Sequence, residues 1–219
     1  MNHSLFIILL VTIPFSITTG QKADTIYFNK EDIQVNSKEF FYYRIASQEN
    51  GVINVSDYFK SGSLKMTGAY KSFDFKDEIG PFYYYKNKKL KQLELNNPTM
   101  HPEIYKKFRE RLDFIPFLPD TLKLVVIFSA NGKVKEAGFV QECCEKFSQW
   151  FYFFGDKTIY LITYKGSKRN GPFNVYRNKI LVFSSNYKNE MLDGPRQRFD
   201  YDGKLIVTEY FSNGKKITK

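Results

Sequence analysis

The chain has 219 residues, 42% hydrophobic and 26% charged, which suits one folded unit or two small ones and excludes intrinsic disorder. Lys and Arg exceed Asp and Glu by 33 to 23, a net charge of +10. Two Cys and two His exclude a disulfide-rich scaffold and a zinc module built on Cys/His clusters. Aromatic residues make up 18%, a composition that favours strands.

The N-terminus reads as an address. Leu5 to Ile17 is uncharged and almost wholly apolar, and the charged chain begins at Gln21-Lys22. Thr18 and Gly20 supply small residues for a signal peptidase, so residues 1–20 are expected to be a signal peptide cleaved after Gly20. The apolar run is too short to span about 30 Å of hydrocarbon, and Pro14 interrupts it. The expected location is periplasmic or extracellular. Residues 21–55 are read as an N-terminal β segment.

Three segments then share one pattern. Tyr70-Lys71 leads to Gly80-Pro81, Tyr164-Lys165 to Gly171-Pro172, and Tyr187-Lys188 to Gly194-Pro195. Tyr and Gly are seven apart in the second and third and ten apart in the first, which a loop insertion explains. Residues 80–90 and 171–181 share seven of eleven positions, and Gly171 and Gly194 are 23 residues apart. A period in the twenties implies a stacked supersecondary unit. Physical chemistry selects a hairpin. Gly-Pro opens it, an aromatic strand ending at Tyr85 or Tyr176 follows, and a polar turn leads to a Leu-led return strand. Asn87-Lys88, Asn178-Lys179 and Asp202-Gly203 are the expected turns, and Asn213-Gly214 ends a partial copy. One such hairpin cannot bury its aromatic face, so the copies must pair into a sheet.

This pattern resembles the bacterial variant MORN repeat of the YwqK-type family. The resemblance rests on Tyr58, Gly62, Leu64, Gly68, Tyr70, Gly80, Tyr85, Leu90, Tyr164, Gly171, Tyr176, Leu181, Tyr187, Gly194, Gly203, Leu205, Tyr210 and Gly214. It covers 56–96 and 161–219 and implies an antiparallel sheet of hairpin repeats. Lys88 and Lys179 stand where the repeat expects turn glycines.

Residues 97–160 break the period and are read as an α+β insert. A helix is expected from Pro102 to Leu112, where Ile104, Phe108 and Leu112 share one face. A hairpin follows, from Leu122 to Phe128 and from Lys133 to Gln141 around Asn131-Gly132. Glu142 to Phe154 is expected to be a second helix, although its aromatics also allow a strand. The order helix, hairpin, helix, strand resembles the C-terminal domain of TonB-like energy transducers. The expected fold class is therefore mostly β with an α+β insert.

Candidates for chemistry are few. His101 is the only histidine outside the signal and sits at an expected helix start, a placement that favours an exposed structural residue. Cys143 and Cys144 are adjacent, a possible redox pair, but neighbouring cysteines poorly meet bridge geometry. Basic clusters interleaved with aromatics suit nucleic acid, but export argues against that partner. No phosphate-binding loop, dinucleotide turn or HExxH motif occurs. The sequence thus points to a non-catalytic envelope scaffold that meets a protein partner or an anionic membrane surface. It points to no cofactor, no metal and no small-molecule substrate. The alternatives are a TonB-like peptide-binding domain, acting by strand addition, and a thiol-dependent enzyme using Cys143 or Cys144.

Overall fold

The structure is a computed structural model and describes residues 23–96, 112, 122–141, 145–155 and 157–218. Sixteen strands form one antiparallel sheet. The first six are β1 (Asp24–Phe28), β2 (Gln34–Val35), β3 (Tyr42–Glu49), β4 (Val52–Phe59), β5 (Leu64–Tyr70) and β6 (Glu78–Lys86). The middle five are β7 (Lys89–Leu95), β8 (Lys123–Phe128), β9 (Val134–Gln141), β10 (Glu145–Phe154) and β11 (Thr158–Lys165). The last five are β12 (Lys168–Arg177), β13 (Ile180–Lys188), β14 (Met191–Phe199), β15 (Leu205–Ser212) and β16 (Lys215–Ile217). Each strand pairs with its neighbours in sequence, except that β1 lies between β2 and β3. The sheet is a meander, so its turns alternate between two rims.

The expected α+β insert is overturned: no helix occurs among the described residues, and the fold is all-β. The hairpin β8–β9 is continuous with the repeats, through Leu95↔Leu124 on one side and Phe147↔Phe139 on the other. The expected helix at Glu142 to Phe154 is strand β10, and the TonB-like order of elements falls with it. Its two alternating sets are both apolar: Trp150 packs on one sheet face, Phe151 and Phe153 on the other. A strand buried on both faces reads as a continuous apolar run and loses its period-2 signature. The expected helix from Pro102 lies outside the described residues except for Leu112, which is fully buried in the middle core.

Local chemistry explains the hairpins. Asn87-Lys88, Asn178-Lys179 and Asn189-Glu190 all hold positive φ, from 47° to 73°, as the two-residue turn compatible with strand twist requires. Lys88 and Lys179 adopt this conformation without being glycine.

The core changes sides along the sheet. In β3–β6, Ala46, Ile53, Val55, Met66, Tyr70 and Phe82 pack on one face, here called face B, with Phe75 of the 71–77 loop against them. There the Arg44 guanidinium makes two hydrogen bonds to Asp57, at 2.7 and 3.0 Å, and lies against the rings of Phe28, Tyr70 and Phe75. Burial alone would lower the Arg44 pKa, but the Asp57 carboxylate outweighs it and raises the pKa. In β7–β11 the main core lies on the opposite face, face A, around Leu95, Leu124, Phe139 and Phe151. In β12–β16 Ser185 is the only buried residue among those described.

Candidate functional site

The repeat residues come together at two sets of register breaks. Gly80, Gly171 and Gly194 carry φ of 75°, 122° and 109°. Each lies on a strand entering from the lower rim, opposite a break at Thr67/Ala69, Ile162/Tyr164 or Ser185/Tyr187. Tyr70, Tyr164 and Tyr187 stand at or beside these breaks. Tyr85 and Tyr176 stand at matching breaks near the upper rim and pair with Leu90 and Leu181. Gly203 and Gly214 occupy turns on opposite rims, with φ of 84° and 79°. Cys143, Cys144 and His101 lie outside the described residues, as does the expected signal. Among the described residues, no group of three or more His, Cys, Asp or Glu is placed to hold a metal.

Charge and exposure single out β12–β16. Residues 168–219 contain eleven Lys and Arg against five Asp and Glu, so they carry +6 of the chain's +10. Face B of this region alternates rings with arginines. Arg196 lies 5.7 Å from the Phe183 ring and 5.8 Å from Phe211, and Arg169 lies 4.4 Å from Tyr187. Arg169 also bonds Glu190, through its backbone N–H and through Nε at 2.8 Å. The first of these hydrogen bonds is the main cause that lowers the Glu190 pKa. Face A carries a row of cross-strand polar pairs, Asn174↔Ser184, Ser184↔Gln197 and Gln197↔Thr208.

The upper rim has its own pattern. It comprises the turns at 29–33, 60–63, 87–88, 129–133, 155–157, 178–179 and 200–204. Each contains one exposed lysine: Lys30, Lys60, Lys88, Lys133, Lys157, Lys179 and Lys204. The described acids of these turns are Glu31, Asp32, Asp200 and Asp202. Asp200 accepts hydrogen bonds from the backbone N–H groups of Asp202 and Lys204, and Asp32 faces Lys65 at 3.7 Å. Among the described residues, six of the nine exposed large hydrophobic ones are on or beside this rim: Ile33, Phe41, Phe154, Tyr201, Leu205 and Ile206. Tyr201 is 72% exposed and Ile206 66%. The last four lie at or beside the outer two of three consecutive tips, which also carry Lys157, Arg177, Lys179 and Lys204.

The lower rim carries a groove of about 500 Å³ between the Tyr164 and Tyr187 repeat copies. Its wall includes Thr163, Asn170, Asn186 and Gly171, with Lys165 and Lys188 beside them. Burial pushes the Tyr164 phenol well above its ordinary pKa, helped by its hydrogen bond with Tyr152, so it stays protonated.

Sequence reasoning found the repeat glycines and tyrosines but missed the lysine at every upper-rim tip. The signal was present. In a meander alternate turns share a rim, and that rule makes the lysines visible once all the turns are marked. No protein-family model matches this chain, and no curated protein is significantly similar to it.

Proposed function

We propose that this protein is a non-catalytic, exported repeat scaffold of the bacterial envelope that rests its upper rim on an anionic membrane surface. One observation carries this reading: each upper-rim tip bears an exposed lysine, and most of the exposed large hydrophobic residues share that rim. Lysines near an anionic leaflet contribute about 1 kcal/mol each, and apolar side chains entering the interface add to this. The exposed residues Phe154, Tyr201, Leu205 and Ile206 at these tips form the insertion edge. The variant MORN resemblance accords with a sheet that presents surfaces rather than a cleft. The exported location rests on the apolar run Leu5–Ile17 followed by small residues at Thr18 and Gly20, and the N-terminal residue of the secreted product tests it.

Vesicle co-sedimentation tests the reading. The protein should bind phosphatidylcholine vesicles containing about 30% phosphatidylglycerol and ignore pure phosphatidylcholine, with binding falling as salt rises. Reversing Lys157, Lys179 and Lys204 to Glu should abolish binding, and Leu205→Ser with Ile206→Ser should weaken it. Equal binding to both vesicle types contradicts the reading. So does an equal loss when Lys165, Lys168 and Lys188 of the lower rim are reversed.

A further inference from the structure

We propose that the lower-rim groove is a binding site for an acidic saccharide, a function separate from the membrane contact of the opposite rim. The groove is formed by backbone irregularity. Three register breaks meet around it: Phe147/Trp150 on β10, Ile162/Tyr164 on β11 and Ser185/Tyr187 on β13. Such bulges re-aim side chains and interrupt pairing, and they concentrate beside functional sites. Here they leave Thr163 without a ladder partner on β12 and Asn186 without one on β14. Gly171 holds φ 122°, and a Cβ there would press on Thr163 at 3.1 Å, so glycine keeps this part of the wall low.

The lining fits a polyhydroxylated ring that carries an acid. Phe147, on the same face as Thr163 and Asn186, offers aromatic surface for the apolar face of a sugar. Thr163, Asn170 and Asn186 offer hydroxyl and amide groups to its hydroxyls. The Asn186 Nδ2 donates to the Asp193 carbonyl at 2.9 Å, which fixes the amide and leaves its Oδ1 as an acceptor. Lys165 and Lys188 outnumber the one acid of the lining, Asp193, and set the charge preference toward a carboxylate or phosphate on the sugar. The volume of about 500 Å³ lies in the range of small-ligand sites and suits one or two sugar rings. A peptide strand fits poorly, because strand addition needs a regular open ladder and the bulges interrupt it here.

The repeat supplies an internal comparison. In the first copy the longer 71–77 loop places Phe75 against Tyr70, with ring centroids 5.3 Å apart. Tyr164, the counterpart of Tyr70, borders the groove and hydrogen-bonds Tyr152 instead. The seven-residue spacing between Tyr164 and Gly171 is too short to supply such a cover.

Isothermal titration of the mature protein with trigalacturonate, maltotriose and triglutamate tests the proposal. Trigalacturonate should bind saturably at one site, and the neutral sugar and the acidic peptide should bind at least about tenfold more weakly. Asn170→Ala and Lys188→Ala should each weaken trigalacturonate binding about tenfold, with Thr163→Val as a second wall variant that preserves shape. Lys179→Ala on the upper rim should leave it unchanged. Absence of saturable binding overturns the proposal. Triglutamate binding as tight as trigalacturonate, or equal losses from lysine changes on both rims, overturns it too. Vesicle binding reads the upper rim alone, so failure of either proposal is seen without the other.

Discussion

Strands β1–β11 and β12–β16 use the same hairpin chemistry and reach different ends. Both regions have turns with positive φ and register breaks beside a repeat tyrosine. In the first region, parts outside the repeat pattern supply cover: Phe75 from the 71–77 loop and Leu112 from the long connection after β7. Among the described residues, the second region has no such addition and every buried hydrophobic side chain lies at or before Leu161. It also carries most of the net charge. The lesson is that the repeat sets strand pairing, whereas the additions decide whether a face becomes core or working surface.

The comparison breaks most sharply at buried groups. Asp57→Ala strands the Arg44 guanidinium in an apolar site and should cost about 3–5 kcal/mol in urea unfolding. Arg196→Ala in the open ladder should cost under about 1 kcal/mol, because its Glu209 contact is long, at 3.8 Å, and both side chains are only partly buried. Equal losses would erase the distinction between the regions. Phe151→Ala should cost about 3–5 kcal/mol and Phe183→Ala, which is only partly buried, clearly less. Gly138→Ala places a methyl against the Trp150 indole and should cost about 1–3 kcal/mol, read from the thermal midpoint.

Turn substitutions act in the opposite direction. Lys88→Gly relieves a non-glycine residue at φ 61° and should stabilise by a few tenths to about 1 kcal/mol. The same change removes an upper-rim lysine, so vesicle binding should fall as stability rises. The smallest effect is the pH response of the ladder. Glu190 and Glu209 have lowered pKa values, caused first by hydrogen bonds from the Arg169 backbone and the Lys216 side chain respectively. Their stabilisation is therefore present above the ordinary glutamate pKa of about 4.3 and lost as pH falls through the lowered folded values. NMR titration should find both carboxyls ionised at a pH where an ordinary glutamate is half protonated.

Much of the sheet was legible because its turns are local. Asn131-Gly132 and Asn178-Lys179 mark their hairpins through residues that tolerate positive φ. The middle was misread because β10 is apolar on both faces and bulged between Phe147 and Trp150, which scrambles the alternation that identifies a strand. The Arg44–Asp57 pair was invisible because it joins positions opposed only by the β3–β4 register. The groove was half legible. Its tyrosines and glycines stood out as repeat markers, but only the coincidence of three register breaks places them around one opening.

Native-state hydrogen exchange, resolved by strand, tests the two-region account most directly. The account predicts that amides of β3–β10 exchange only through global unfolding, whereas those of β13–β16 exchange through a cheaper local opening that progresses inward from β16. Uniform protection from β3 to β15, with one opening free energy for all, would contradict it.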